Sequence, residues 1–354
     1  MKLREDHSRS RRRSTSLKRK KTLLQRFFAA VLLLLAIKLS GPSAFERLPN
    51  VIQETVQSFL EQTAEDFNID LTKFASIFPA KSDFPNTPIS SDSAITLPDG
   101  SGNLRVDFLD VGQGLSVLVE ADGSCLLYDG GDRSASSFVV AYLKERGVET
   151  LDYVIASHYD SDHINGLVGA LYTCEVKQIL GPDYMTDTRV YHSLLTRAEE
   201  LGLGITTPEP GARYPLGQGY FEVLGPLSED YSDVNNYSLV LRLVYGDTSI
   251  LLTGDAEAES EQELLTAWPD LKSDVLCVGH HGSPSSTGGE FLDRVQPSYA
   301  VISCGRDNFY GHPDASVLER LNLRQIPVWR TDESGTITVN GDGKSLLFSA
   351  EKTD

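Results

Sequence analysis

The chain has 354 residues, 40% hydrophobic and 23% charged, with net charge −18, four cysteines and seven histidines. That balance excludes a low-complexity, collagenous or disulfide-scaffold polypeptide and leaves room for one large domain with its own core. Residues 1–40 hold 12 Lys+Arg against 2 Asp+Glu, a net of +10, so residues 41–354 carry −28. A surface that acidic opposes a long polyanion, because phosphate backbones are held by Lys and Arg; Arg133, Lys144, Arg242, Arg306 and Arg330 are the basic residues that could gather at a cleft.

In chain order, residues 1–26 are basic, lack hydrophobic periodicity and read as a disordered tail. Residues 27–39 hold the uncharged block Phe27–Ile37 and read as a signal anchor or signal peptide. The block is shorter than the ~20 apolar residues of a full span. Its basic flank keeps the N-terminus inside and puts everything after residue 40 outside the membrane; the weak small-residue pattern near Ser43 and Ala44 favours an uncut anchor. Within 40–100, residues 48–78 place Val51, Val56, Phe59, Leu60, Phe67, Leu71 and Phe74 at helical spacing, an amphipathic helix able to pack on the domain, form a stalk, self-associate or recruit a partner helix. Residues 79–100, rich in Pro, Ser and Asp, read as a linker. Over 101–354 the pattern runs strand, strand, strand, helix, strand, helix, strand, helix, followed by a second similar series. Such a series predicts an α/β domain, a four-layer αββα sandwich. Cys125 and Cys277 fall in apparent core strands, and no cysteine spacing demands a disulfide or a zinc ribbon.

Five of the seven histidines fall in three short motifs. Ser157-His158-Tyr159-Asp160-Ser161-Asp162-His163 follows a buried strand over 151–156 and precedes a helix read from Ile164 to Leu171. On such a loop His158 and Asp160 can point to one pocket while Asp162 and His163 point to its neighbour. Imidazole and carboxylate together suit zinc, manganese or iron, and the absence of cysteine argues against a structural zinc site. Three or four protein ligands per ion leave a position open for water, whose proton is lost near neutral pH. The other two motifs are Gly279-His280-His281-Gly282-Ser283 and Tyr310-Gly311-His312-Pro313. A strand from Ser249 ends at Asp255, which on local grounds is a turn residue, a helix N-cap or a ligand.

These segments, with Phe108-Leu-Asp-Val-Gly-Gln-Gly114, Leu127-Tyr-Asp-Gly-Gly131, Asn235-Asn-Tyr-Ser-Leu-Val-Leu241 and Leu251-Leu-Thr-Gly-Asp255, occur in an order that resembles the metallo-β-lactamase superfamily, most of all the soluble hydrolase domain of ComEC/Rec2-type competence proteins. The chain departs from the superfamily's His-x-His-x-Asp-His loop at Asp160, a change the competence branch shares. It also has Asn235 and Asn236 where many relatives place another histidine.

The resemblance implies two divalent ions, Mn2+ or Zn2+ with Mg2+ as a further candidate, held by His158, Asp160, Asp162, His163, Asp255 and His280, with Asp255 bridging. One ion site is richer in oxygen, which favours manganese or magnesium there. Between the adjacent histidines, His280 is preferred as ligand and His281 is left facing substrate. Asp162 or a neighbour orients the attacking water, and His312 or His281 protonates the leaving oxygen, with a late ligand or a phosphate contact as the other roles open to His312. Ser283, Asn308, Tyr310 and Asn236 are the expected substrate contacts; Asp110, Gln113 and Asp129 are expected around the ligands, with Asp129 bonded to one of them.

The implied substrate is a phosphodiester. DNA is the one the competence resemblance suggests, and small diesters such as phosphorylcholine groups suit an acidic extracytoplasmic domain better. A non-catalytic binding or assembly module is the alternative from another class.

Overall fold

Residues 103–352 are described here from a computed structural model of the protein. The basic tail, the apolar segment 27–39 and the helix and linker read over 40–100 lie outside them. Among the described residues, no helix is long and apolar enough to cross a membrane.

Strands β1 (Leu104–Phe108), β2 (Val117–Ala121) and β3 (Ser124–Tyr128) form an antiparallel meander. The chain then winds through helix α1 (Ser136–Glu145), β4 (Thr150–Ile155), helix α2 (Ser161–Thr173), β5 (Glu175–Leu180), helix α3 (Arg189–Glu200) and β6 (Ile205–Thr206), adding parallel strands. A second sheet follows: β7 (Arg213–Leu216), β8 (Gly219–Gly225), β9 (Val240–Tyr245) and β10 (Thr248–Leu252) are antiparallel. Helix α4 (Ala258–Ala267), β11 (Val275–Cys277), helix α5 (Gly289–Val295), β12 (Tyr299–Ile302), helix α6 (Ala315–Leu323) and β13 (Val328–Arg330) extend it in parallel. Finally β14 (Ile337–Gly341) and β15 (Leu346–Ala350) return to the free edge of β1. The sheet orders are β15-β14-β1-β2-β3-β4-β5-β6 and β13-β12-β11-β10-β9-β8-β7.

Both faces of these sheets are covered, so the strands read as near-continuous apolar runs. Val117 and Val119 point between the sheets, where they join Phe221, Leu241 and Leu252, while Leu118 points outward to Val139 and Leu167 on α1 and α2. On the far side Leu251, Leu276 and Ala300 meet Leu264, Leu292 and Val317 of α4, α5 and α6. Three apolar layers between four layers of secondary structure make the αββα sandwich. The chain leaves the C-terminal ends of β3, β4, β10, β11 and β12 at Asp129, Ala156, Thr253, Val278 and Ser303, and these loops converge on one edge. The helix expected from Ile164 begins three residues earlier, at Ser161, so Asp162 and His163 stand in its first turn. A carboxylate is favoured there by the helix dipole.

Candidate metal centre

His158 leaves β4, Asp162 and His163 open α2, Asp255 follows β10, and His281 follows β11. The His163 imidazole Nε2 is 3.3 Å from Asp255 Oδ1 and 3.9 Å from Asp162 Oδ2; His281 Nε2 is 3.4 Å from both Asp162 Oδ2 and Asp255 Oδ2. Two overlapping groups have metal-holding spacing: His158, His163 and Asp255, and Asp162, His163 and His281.

Each ring is fixed through its other nitrogen. Asp129, buried and at φ 58°, accepts from Ser157 N and Ser157 Oγ at 2.7 Å, and its Oδ2 lies 2.8 Å from His163 Nδ1. Ser157 Oγ is 3.0 Å from His158 Nδ1, and His281 Nδ1 lies 3.0 Å from the Ser303 carbonyl. The Nε2 atoms therefore face the shared centre. His158 Nε2, His163 Nε2, His281 Nε2 and Asp255 Oδ1 are buried with no hydrogen bond of adequate geometry among the described residues. Buried polar atoms without partners are costly. Four of them converging, all imidazole nitrogen or carboxylate oxygen, is the donor set of a divalent cation.

His163 has one lone pair to give, because Nδ1 is held by Asp129, so it serves only one of the two groups. Giving it to the group with Asp162 and His281 leaves His158 with Asp255 and with Asp160, whose Oδ2 is 3.9 Å away. That second position has one imidazole among oxygens.

The electrostatics fit a cation. Burial lowers the His158 imidazole to about 4, helped by neighbouring His163. Burial also opposes charge on His163 and His281, but Asp255 with its fellow carboxylates outweighs it, raising His163 strongly and His281 to about 9. Asp255 and Asp162, despite burial, are held low by those imidazoles, while burial and Asp162 push Asp160 up to about 6. Without metal, protons on His163 and His281 balance the carboxylates; a divalent ion must displace them.

One consequence is measurable. His281 binds its proton more tightly folded, about 9, than in the unfolded chain, ~6.5. Its contribution is complete below pH 6.5 and is lost as pH climbs to about 9, on the order of 3 kcal/mol. Chelator-treated protein should show its urea midpoint falling across that window, and His281→Ala should flatten the fall; a wild-type midpoint level from pH 6.5 to 9 would contradict this picture.

The remaining predicted residues divide. Of the adjacent histidines it is His281, not the preferred His280, that falls in a group of metal-holding spacing: His281 is buried, whereas His280 is partly exposed, 3.6 Å from Asp255 Oδ2, with Nδ1 held by Glu257 at 3.0 Å. Asn236, expected at substrate, is buried, and its Oδ1 accepts from Glu257 N and Ser260 N, capping α4. Asn308 braces its own loop, donating to the carbonyls of Gly305 and His312 and accepting from His312 N.

Ser283 is buried, with its N–H given to the His280 carbonyl and its hydroxyl 2.7 Å from that of Ser285. Asp110 faces Gly112 N and Lys352 rather than a ligand. Gln113 Oε1 accepts from Gly305 N, tying the loop after β1 to the loop after β12. His312 belongs to neither metal group; its ring lies 5.5 Å from that of His280, and half-exposed Tyr310 stacks on it.

Of the basic residues expected at the cleft, Arg242 is paired with Glu222, Arg330 with Asp332 and Glu333, and Arg306 donates to the Asp332 carbonyl. The sequence reading missed Ser157, signalled only by its place before His158, and Ser303, which acts through a backbone carbonyl that no side-chain pattern reveals. All four cysteines are free.

A model of the Metallo-beta-lactamase superfamily matches residues 109–306, which holds every candidate ligand named above. The chain belongs to the metallo-beta-lactamase superfamily. This membership implies divalent-metal binding and supports a metal-dependent hydrolase, in keeping with the donor set. Among curated proteins, the chain is 38% identical over 263 residues to ComE operon protein 3 of Bacillus subtilis (strain 168), covering 69% of this chain and 34% of that protein. It is 37% identical over 232 residues to Competence protein ComA of Neisseria gonorrhoeae, covering 64% and 31%. Recombination protein 2 of Haemophilus influenzae is 35% identical over 242 residues, covering 67% and 29%. The chain thus spans about a third of the length of these relatives. The metallo-beta-lactamase fold protein YhfI from Bacillus subtilis superposes with TM-score 0.47 at 15% identity, over 68% of this chain and all of that one.

Proposed function

We propose that this superfamily member is a phosphodiester hydrolase, working outside the cytoplasm and tethered by residues 27–39, with residues 48–78 free to self-associate or engage a partner helix. The observation that carries the hydrolase reading is the convergence on one edge of the sandwich of four buried ligand atoms that lack a well-formed hydrogen bond. When bound, divalent ions, Mn2+ or Zn2+ with Mg2+ also suited to the oxygen-rich position, supply Lewis acidity toward phosphoryl oxygens and lower the pKa of a nearby water.

The chain's residues do the rest. Asp129, Ser157 and Ser303 fix the imidazole tautomers, so ligands need no reorganisation. Asp162, at the opening of α2 and 29% exposed in its side chain, is the carboxylate of the cluster best placed to orient a water against phosphorus. His280, held by Glu257, and His312, its ring 5.5 Å from that of His280, are the imidazoles beside the two groups from which a leaving oxygen would collect a proton.

DNA is the substrate suggested by the competence relatives. A short diester is favoured by a separate observation. The loops 181–188 and 226–237 border the site, since Tyr184 Oη accepts from Tyr159 N and Asn236 caps α4. They carry Asp183, Asp187, Glu229, Asp230 and Asp233 and no Lys or Arg. Arg242 and Arg330 are already paired, and exposed Arg133 in the loop after β3 adds a single positive charge against these five carboxylates, a poor hold for a long phosphate backbone.

The test is to assay the metal-loaded chain on single-stranded DNA, double-stranded DNA and bis-p-nitrophenyl phosphate beside Asp162→Ala. We expect cleavage of the small diester, reduced at least about 10²-fold in the variant, the scale of losing a group that acts in the transition state. DNA cleavage lost in the variant would instead establish a nuclease. Inactivity on all three with metal bound would defeat the phosphodiester reading and favour other esters or a non-catalytic module.

A further inference from the structure

The turn bearing His280 and His281 has an unusual backbone: φ is 47° at His280 and 55° at His281, consecutive non-glycine residues in the left-handed region. Such conformations cost free energy and persist only when their surroundings impose them. Nearby backbone bonds explain part of this, since His280 N donates to the carbonyl of Gly254 in the loop after β10 and Ser283 N to the His280 carbonyl. The rest comes from behind the turn.

Gly279, just before His280, has both backbone groups gripped by one neighbouring loop. Its N–H donates to Thr287 Oγ1 at 3.2 Å, and its carbonyl accepts from Ser286 Oγ at 2.6 Å. A side chain could not stand there without crowding the Ala256 carbonyl at 3.0 Å. The gripping loop is itself irregular, with Thr287 at φ 55°. It is held from behind by Glu261 of α4, whose two carboxylate oxygens accept from the consecutive N–H groups of Thr287 and Gly288. Arg320 of α6 donates to the Ser286 carbonyl at 2.9 Å.

Glu261 is 5% exposed, and burial pushes its carboxyl up to about 7 despite its two amide donors and the nearby Arg320 guanidinium. An apolar side chain would be cheaper in that place. The carboxylate does what no apolar residue can: it satisfies two adjacent amides of a loop that has no regular structure to satisfy them.

We infer that Glu261 is a positioning residue for the metal centre, acting through Thr287, Ser286 and Gly279 to hold the His280–His281 turn so that His281 Nε2 faces Asp162 and Asp255. No atom of Glu261 need touch a ligand; its effect passes through two tiers of hydrogen bonds. The inference rests on the metal reading for its consequence, and on the hydrogen-bond relay alone for its structural claim.

The experiment compares the full chain with Glu261→Gln, Thr287→Val and the double variant. In metal-free protein, amide hydrogen exchange should quicken over 279–288 in each single variant and stay unchanged over 157–163. In titrations with Mn2+ or Zn2+ alone, affinity at the His281 position should fall about 10- to 100-fold, the range for partners that orient a ligand. The double variant should lose little more than Thr287→Val does, because both act on one relay. Glu261→Gln, which keeps shape and one acceptor oxygen, should retain more affinity than Glu261→Ala. Exchange that quickens across the whole domain, or unchanged exchange over 279–288, would overturn the relay. Additive losses in the double variant would overturn the coupling. Wild-type protein that binds no metal would remove the metal reading and leave the exchange result to decide the relay.

Discussion

With Asp255 replaced by alanine, hydrolysis should fall at least about 10³-fold, a loss of about 4 kcal/mol in transition-state stabilisation, and divalent metal should no longer copurify. Asp255 is 3% exposed and stands between rings from two loops: Oδ1 is 3.3 Å from His163 Nε2, and Oδ2 is 3.4 Å from His281 Nε2 and 3.6 Å from His280 Nε2. No other carboxylate in the cluster reaches both metal groups with a separate oxygen at such distances. The variant also tests whether the residue is merely a cap, the competing local reading. Helix α4 starts at Ala258 with Glu257 in the N-cap position; Asn236 accepts from the amides of Glu257 and Ser260 and the Ser285 carbonyl from that of Ala258, so alanine at 255 leaves that helix end intact.

What alanine does remove is the main counter-charge of His163 and His281. In metal-free protein below pH 6.5 that leaves buried imidazolium poorly compensated, at a cost of about 3–5 kcal/mol; as pH rises through about 9 the His281 ring loses its proton and its share of the cost should shrink. Metal content by elemental analysis, steady-state rates and urea unfolding at two pH values check each part. Retention of wild-type metal content and rate would show that Asp255 is no ligand.

The legible and illegible parts of this site differ in physical kind. His158, Asp160, Asp162 and His163 lie within six residues after an apolar strand, so their proximity is local and independent of tertiary structure. The two strand-and-helix series over 104–330 were readable for a similar reason: strands covered on both faces give continuous apolar runs, seen in β3 at Leu126-Leu127-Tyr128 and in β10 at Ile250-Leu251-Leu252. The choice between His280 and His281 was not local. Neighbouring side chains diverge according to φ, and two left-handed residues in succession are imposed by Gly279, Ser286, Thr287 and Gly254, which no single-sequence pattern connects.

Asn236 and Asn308 misled because an amide near a motif resembles a substrate contact. Their partners are amides some twenty residues away at 257 and 260 for one, and carbonyls of its own loop for the other. The return of β14 and β15 to the edge of β1 is a pairing across more than two hundred residues, and local periodicity carries no information about it.

A substitution outside the ligand set should also have a large effect on stability. Gly166 lies on the buried side of α2, and a Cβ there would stand 2.1 Å from the Gly130 carbonyl oxygen; the reciprocal Cβ on Gly130 would meet Leu167 N at 2.4 Å. The two backbones touch because they are hydrogen bonded: Gly130 N donates to the His163 carbonyl, and Gly166 N lies 3.1 Å from the Gly130 carbonyl. This contact brings Asp129, one residue earlier, against His163 Nδ1.

Two effects then compete in Gly166→Ala. Helix propensity alone favours alanine by about 1 kcal/mol. Steric overlap with a backbone oxygen has no flexible side chain to absorb it, so the helix must move by more than about 1 Å, and overpacking of this kind costs about 3 kcal/mol or more. The clash wins, and a net loss of about 2–3 kcal/mol should lower the melting temperature by about 5–10 °C for a domain of this size. Because Asp162 and His163 open the same helix, metal affinity should fall with stability, whereas Gly123→Ala, with no heavy atom within 4 Å of its Cβ, should cost only what its φ of 86° imposes and leave affinity unchanged. A Gly166→Ala protein as stable as wild type, or more so, would mean that propensity outweighs the contact and that the helix is free to shift; wild-type metal affinity in such a protein would show that the ligands do not depend on where α2 docks.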